Sequence, residues 1–370
     1  MPTPLVDLFL DAVRVNAPSL AERPMGQFVR RTLDGTPVRI VEDDTASLIK
    51  GDCGNLICIP PSFDSSRPAI ALFAHLDTPR PTEGVRPVVS DTRIDSDGTT
   101  ILGVDNRAGT CILLHTLREA GRASGSANYI VVFTVGEELG MLGSKHVNLA
   151  PYNVDKAFIF DCSRRPGTFI SAAVGCSMYS TTFLGRSSHA GVSPEKGIHA
   201  IRLAANALSR IPMGRHSPTM TSNVGTIRGG SATNIVPDSC FIEGEVRSFD
   251  PHAIEAHLQM LHTTFREASE EGGGSVQFEA AVDFEPFTLD AASPVFAMTE
   301  KALRSIGLTP NPIEYLGGSD ANTLNGRGIP AVNLGIGAQN PHGNDEFILL
   351  EDLHTSARLA AVLTSSTLNA

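Results

Sequence analysis

The sequence predicts an α/β protein: a mostly parallel sheet flanked by helices, into which a ferredoxin-like α+β domain is inserted. Three observations predict this. From about residue 38 to 161, apolar β-like runs alternate with helical stretches, the βαβ pattern of a parallel sheet. Around Val174 the texture changes to strand, helix, two strands, helix, strand, which is the βαββαβ order. After residue 286 the first texture returns. The expected organisation is a discontinuous domain, 1–173 with 287–370, and an insert at 174–286. A length of 370 residues fits two domains better than one.

Residues 4–34 read as two short helices divided near Pro18 and Pro24. The helix after Asp105 carries Ile112, Leu113, Leu114 and Leu117 on a broad apolar face. In the insert, Ser177–Phe183 reads as a strand. A helix follows Pro194, with Ile198, Ile201, Ala205, Leu208 and Ile211 at helical spacing. Strands follow near 221–228 and 240–249. Ile254, Leu258, Leu261 and Phe265 mark a second amphipathic helix, stopped by Gly272-Gly273-Gly274, and a strand at 275–284 closes the block. Beyond it come a helix at about 293–306, a Gly-rich turn at 317–318 ahead of a short helix, a strand at 330–334 and a terminal helix near 351–366.

The net charge of −11 argues against a nucleic-acid partner, because phosphate binding needs a basic face. Six cysteines without a C-x-x-C pair fit a reducing compartment better than a disulfide framework. The N-terminal stretch lacks a basic region, and Asp7 and Asp11 interrupt its apolar run, so it does not read as a signal peptide. No run of about 18 apolar residues suggests a membrane span. The expected location is the cytoplasm.

Five stretches place His, Asp or Glu where a divalent metal would bind, and four of them follow an apolar run. Ile70–Ala74 leads into His75-Leu76-Asp77, Tyr129–Val135 into Glu137-Glu138, Ala157–Phe160 into Asp161, and Pro330–Leu334 through a Gly-rich loop to His342. Asp105 lies in Gly103-Val104-Asp105-Asn106-Arg107-Ala108-Gly109. Sites in open α/β sheets form beyond the carboxyl ends of the strands, so one sheet edge can gather all five. Two imidazoles with several carboxylates suit zinc-like metals and point to a metal-dependent hydrolase.

Each cluster also has a plainer reading. His75-x-Asp77 fits a surface histidine beside an aspartate, although Asp77 could instead support a metal-bound His75. Asp105 fits a helix N-cap as well as a carboxylate bridging two ions. Glu137-Glu138 fits a solvated turn, yet the flanking Gly136 and Gly140 suggest a turn held for geometry. One of the two glutamates can bind metal while the other serves as general base, and the spacing does not say which. Asp161 at the end of an apolar strand needs a partner. A loop histidine such as His342 is ordinarily solvated, and its case rests on the others.

Taken in order, His75-x-Asp77, Gly-x-Asp105, Glu137-Glu138, Asp161 and His342 resemble the cocatalytic zinc peptidases that include peptidase T, carboxypeptidase G and the aminoacylases. Ser188–Gly197 resembles that family's lid-domain histidine motif, and Glu245–Asp250 its Arg-bearing lid strand. Gly317–Asp320 and Asn333–Gly337 resemble the segment leading to its last metal ligand. The resemblance spans roughly 70–350 and is greatest to the peptidase T-like, or tripeptidase, branch.

The resemblance implies two Zn²⁺ per chain, with Co²⁺ or Mn²⁺ as substitutes. His75 and Asp161 would complete one site, Glu138 and His342 the other, and Asp105 would bridge them. Glu137 would be the general base and Asp77 the support for His75. His189 would steady the oxyanion from the inserted lid, and Arg247 with Asn234 would hold a substrate carboxylate. Leaving Glu137 out of the ligand set also keeps the cluster less anionic and a better Lewis acid. The resemblance further implies a homodimer formed through the insert.

Two departures stand out. The family often has Asp-Asp-Lys where this chain has Asp105-Asn106-Arg107, with Asn106 expected mainly to shape the turn. Ser231–Pro237 is more similar to the carboxypeptidase and deacylase branches. Family members commonly carry a cis bond after the bridging aspartate, which the sequence itself does not show. The expected activity is therefore cleavage of one amide bond in a small peptide, most simply as an aminopeptidase of the tripeptidase type. A carboxypeptidase or a deacylase of N-acyl amino acids on the same site is the alternative. A non-catalytic binding paralogue would be expected to have lost a ligand or the base, and this chain keeps them all.

Overall fold

A computed structural model describes residues 3–120 and 127–365. Residue 366, the last of the expected terminal helix, lies outside the described residues, as do 1 and 2 of the N-terminal stretch. The chain divides into two compact units. One comprises Met1–Ala172, Thr288–Glu314 and Ser319–Ala370, the other Ala173–Phe287 and Tyr315–Gly318.

The first unit is built on a nine-stranded mixed sheet. Its centre runs Tyr129–Thr134, Ala69–His75, Val154–Cys162, Ala331–Gly335, all parallel. Antiparallel strands flank this centre: Leu56–Ile59 and then Arg39–Glu42 on one side, Thr168–Ala173 on the other. Every residue of Ala69–His75 and Tyr129–Thr134 is buried. A parallel sheet covered on both faces needs such unbroken apolar runs.

The helix Val104–Ala120 buries Ala108, Cys111, Ile112, Leu113, Leu114 and Leu117 in the core. It approaches the sheet so closely that a Cβ at Gly109 would lie 2.1 Å from the Phe160 carbonyl oxygen. Only glycine brings the start of this helix against the end of the Val154–Cys162 strand. The N-terminal helices are Pro4–Val13 and Arg23–Thr32, so Pro24 sits in a first turn rather than acting as a breaker.

A second, four-stranded ribbon was not expected from the sequence. It consists of Ala338–Gln339, Phe347–Leu349, Arg93–Asp95 and Val88–Val89 in that order. Ala338–Gln339 and Phe347–Leu349 pair antiparallel, so the loop joining them, which holds His342, is the connection of a hairpin.

The second unit is a five-stranded antiparallel sheet. Its order is Gly214–Ser217, Met220–Gly229, Ser239–Ser248, Gly175–Leu184, Ser275–Phe284. Helices Ala200–Leu208 and Pro251–Glu271 contribute Leu203, Leu261 and Phe265 to a core with Phe183, Ile242 and Val246.

Two details differ from the expected βαββαβ. Gly214–Ser217 adds a strand paired to Met220–Gly229. The first helix begins at Ala200, not directly after Pro194, because Ile198 exchanges backbone hydrogen bonds with Arg186 and is drawn into an extended bridge. Among the described residues no helix is long and apolar enough to cross a membrane.

Candidate metal centre

The parallel strands deliver their last residues to one sheet edge. His75 ends its strand, and its carbonyl accepts a hydrogen bond from Thr110 Oγ1 of the neighbouring helix. Asp161 is the penultimate residue of Val154–Cys162. Glu137 and Glu138 occupy a short 3₁₀ turn between Gly136 (φ 61°) and Gly140 (φ 96°), left-handed positions that suit glycine. Asp105 is not the N-cap of this helix, a place taken by Asn106, whose Oδ1 accepts the Gly109 N–H at 2.9 Å; Asp105 itself is extended at φ/ψ −83°/103°, and the Asp105–Asn106 bond is cis.

Three overlapping groups of potential ligand atoms result, each within 4.8 Å: His75, Asp105, Asp161; His75, Glu137, Glu138; and Asp105, Glu138, His342. His75 Nε2 lies 3.0 Å from Asp105 Oδ1 and 3.2 Å from Asp161 Oδ1. His342 Nε2 lies 3.4 Å from Asp105 Oδ2 and 3.3 Å from Glu138 Oε1. The two oxygens of Asp105 therefore face two different histidines. His75 is almost wholly buried, whereas the His342 side chain is 51% exposed, leaving one side of the cluster open. Glu137 belongs to a group with His75 but not to the one around His342.

Asp77 is a fully buried hub. Its Oδ1 lies 3.3 Å from His75 Nδ1 and accepts the Glu137 N–H at 3.1 Å. Its Oδ2 accepts the Glu138 N–H at 3.1 Å and the Ser19 hydroxyl at 2.7 Å. One carboxylate thus orients the imidazole and the turn bearing both glutamates.

The charge balance is strained by negative groups. Burial raises the pKa of Glu137 well above the usual range; His75 opposes this, and Asp161, Asp320 and Glu138 add to it. Burial likewise raises Glu138 and Asp161. Burial would lower His75, but Asp105, Asp161 and Asp77 push it well above its usual value. Asp105 and then Glu138 raise His342 to about 10. For Asp105, burial would raise the pKa, but His342 and His75 hold it below the carboxylate range. Glu138 Oε1 is buried without a hydrogen-bond partner despite its proximity to His342. Imidazole nitrogens, crowded carboxylates and an orphaned carboxylate oxygen form a donor set that divalent cations satisfy.

Several residues support the centre in ways the sequence reading does not give them. Asn106 does more than shape a turn: its Nδ2 donates to the Phe160 carbonyl at 2.9 Å and to Asp161 Oδ1 at 3.1 Å. Asn333 Nδ2 donates to the other oxygen of Asp161 at 3.2 Å. Arg107, fully buried, donates to the carbonyls of Leu76, Val15 and Ala17, tying the N-terminal loop under the His75–Asp77 segment.

Glu22, also fully buried, accepts the Gly136 N–H at 2.9 Å, and burial followed by Asp77 raises its pKa to about 7. Glu346 accepts the N–H groups of Gly103 and Asp105. Asp320 accepts from Thr134 at 2.7 Å, and burial raises its pKa to about 6. An acid between Pro18 and Pro24, and a second acid four residues after His342, were the only sequence cues to Glu22 and Glu346.

The remaining candidates lie in the second unit. His189 is exposed, and its Nδ1 accepts the N–H groups of Gly191 and Val192 at 3.2 Å each. This fixes the ring tautomer with the proton on Nε2. The Asn234 carbonyl accepts the N–H of Ala190, which brings Asn234 beside His189. Arg247 does not hold a free fork: Nε and one terminal nitrogen each donate at 2.9 Å to Glu245, and its guanidinium stacks over Phe284 at 5.8 Å. Glu243, Glu245 and Arg247 share one strand face, as alternation dictates, and Glu243 turns to Thr226 and Arg228.

Residues 172–273 match a model described as a peptidase dimerisation domain of the M20 type, and residues 88–169 match one described as M42 glutamyl aminopeptidase. The chain is 33% identical over 362 residues to the Bacillus subtilis (strain 168) protein YqjE, covering 97% of each. Among solved structures it resembles aminopeptidase PepT from Bacillus cereus ATCC 10987, with 32% identity, 97% of each chain covered and a TM-score of 0.84. It also resembles a tripeptidase from Staphylococcus aureus subsp. aureus mu50, with 31% identity, 98% of this chain and 97% of that one covered, and a TM-score of 0.89.

Proposed function

The chain belongs to the peptidase T-like group of the M20 metallopeptidases, and from that premise we propose that it is a two-metal aminopeptidase of the tripeptidase type. The observation that carries the two-metal reading is the placement of Asp105, with one oxygen toward His75 and the other toward His342. In this reading His75, Asp161 and Asp105 hold one ion, and Glu138, His342 and Asp105 the other. When bound, the ions, zinc by donor set with cobalt or manganese as substitutes, polarise the scissile carbonyl and make water a nucleophile near neutral pH.

The chain's own groups supply the rest. Glu137 takes the proton of the attacking water on its carboxylate and passes it to the leaving amine. Asp77 keeps the His75 ring and the Glu137 backbone fixed, so neither must reorganise during the reaction. His189, with its proton on Nε2, presents a donor for the oxyanion of the tetrahedral intermediate. Arg247 and Asn234 bind the substrate's carboxylate end, Arg247 by exchanging Glu245 for it.

The proposed division of labour gives 1–173 with 287–370 the metal chemistry, and 174–286 the lid and a homodimer contact. The dimer is supported by the match of 172–273 to a dimerisation domain. A cytoplasmic location is proposed on the cysteines, all six of which are buried and none of which forms a disulfide.

The test is elemental analysis of purified protein combined with a short-peptide screen. The reading predicts about two divalent ions per chain and chelator-sensitive release of the N-terminal residue from unblocked tripeptides. Cleavage of N-acylated in preference to unblocked substrates would replace the aminopeptidase by the deacylase or carboxypeptidase alternative. Trace metal after supplementation, with hydrolysis indifferent to chelator, would end the two-metal reading.

A further inference from the structure

The direction of Asp105 is set by its backbone, and that backbone is held by a residue with no assigned role. Glu346 is 1% exposed. Its Oε2 accepts the Gly103 N–H at 2.6 Å and its Oε1 the Asp105 N–H at 3.1 Å. The two donors lie 243 and 241 residues away in sequence, so the contact joins two loops that nothing local connects.

The turn it grips has little freedom of its own. Gly103 is at φ 77°, and a Cβ there would lie 3.2 Å from Thr82 and 3.3 Å from Thr78. Two residues on, the Asp105 carboxylate splits between His75 and His342.

Glu346 belongs to the same hairpin connection as His342. That connection is itself braced: Asn340 Nδ2 donates to Asp345 at 2.8 Å, and Arg80 donates to the His342 carbonyl at 2.7 Å and to Asn344 at 2.9 Å. The Glu346 carbonyl in turn accepts the Ser96 N–H at 3.0 Å. One side chain therefore makes the Asp105 turn and the His342 loop a single unit.

We propose that Glu346 is a positioning residue for the metal pair, gripping the Gly103–Asp105 backbone so that Asp105 is held between His75 and His342 and setting the affinity of the site Asp105 shares with Glu138 and His342. The inference rests on the two-metal reading above. Two features separate a grip from a mere charge. The carboxylate spans two backbone donors at once, and only a side chain of glutamate's length, placed as Glu346 is, reaches both. A charge effect alone would survive shortening the side chain, whereas a grip would not.

The experiment titrates metal-free wild type, Glu346→Gln and Glu346→Asp with Zn²⁺ against a chromophoric chelator, alongside melting temperatures of the metal-free proteins. The expected result is a loss in one of the two affinities of roughly 10–100-fold in the Gln variant, the range for lost support of a ligand. A clear loss is also expected in the Asp variant, which keeps the charge but is one methylene short. Wild-type affinity in the Asp variant with loss only in the Gln variant would assign the effect to charge and overturn the proposal. Lower melting temperatures with both zinc affinities unchanged would assign Glu346 a purely structural role and overturn it equally.

Should the variants not fold, hydrogen exchange on wild type decides. The amides of Gly103 and Asp105 must be protected before zinc is added, and fast exchange in the metal-free protein overturns the grip. Wild type that takes up no divalent ion fails the two-metal reading itself and the inference with it. Two ions in wild type with unchanged variants overturn the inference alone.

Discussion

Replacing Asp77 by Asn probes the hub that joins the imidazole to the glutamate turn. The buried carboxylate takes four donors, Ser19 Oγ and the Glu138 N–H on one oxygen, His75 Nδ1 and the Glu137 N–H on the other. An amide nitrogen can take only one of those places. At Oδ2 it can donate to Ser19, whose hydroxyl rotates to accept, but it then confronts the Glu138 N–H. At Oδ1 it would face both His75 and the Glu137 N–H, so the first orientation is cheaper.

One buried N–H left unpaired costs about 1–3 kcal/mol, and loss of the charge on the remaining acceptor about 1 kcal/mol more. The expected destabilisation of the metal-free protein is therefore roughly 2–4 kcal/mol near neutral pH. The pH dependence has a definite sign. Burial would raise the Asp77 pKa, but His75, Ser19 and the Glu138 N–H hold it below the usual value. Its contribution is present above the unfolded pKa of about 3.9 and is lost as pH falls through the lower folded value. The assay is chemical denaturation of wild type and variant followed by circular dichroism, since the chain has no tryptophan. A variant within about 0.5 kcal/mol of wild type at neutral pH would refute the hub.

Further predictions follow from the same geometry. Glu137→Gln should lower turnover by about a hundredfold or more while both ions stay bound. Glu138→Gln should lose metal as well, and the reverse pattern, by elemental analysis and kinetics, would exchange their roles. Arg247→Lys keeps charge but loses the planar fork, so kcat/KM should fall sharply on substrates with a free C-terminal carboxylate and little on C-terminally amidated ones. Equal losses on both would make the Arg247–Glu245 pair structural. Light scattering at micromolar concentration should give the mass of a dimer, and a monomer mass would remove the assembly role of 174–286.

The parts of the fold that were legible are those whose burial leaves a period or an unbroken run. Ala69–His75 and Tyr129–Thr134 are buried throughout and read directly as apolar runs, and the residues that end them are visible as polar punctuation. The ribbon strands Val88–Val89 and Ala338–Gln339 are two residues long and carry no period at all. The start of the helix at Ala200 depended on a bridge between Arg186 and Ile198 that spacing alone does not reveal. Around the centre, His75 and Asp161 lie at strand ends and Glu137 and Glu138 in the turn after one, while Asp105 precedes a helix and His342 sits in a hairpin connection; all six could be named in advance.

Apart from Asp77, the residues bracing them could not. Ser19 meets Asp77 across 58 positions, Glu22 meets Gly136 across 114, and Glu346 meets Gly103 across 243. Such contacts exist only once the chain has folded. Arg247 shows the opposite lesson. Its alternation with Glu243 and Glu245 was readable, but only the structure shows both edges of its fork turned to Glu245.

The most direct test of the central claim is anomalous diffraction from crystals of the protein grown with zinc. The account predicts two peaks in the first unit, one bound by His75 and Asp161, the other by Glu138 and His342, with Asp105 bound to both and Glu137 to neither. A single peak, peaks that leave Asp105 free, or Glu137 in place of Glu138 as a ligand would contradict it.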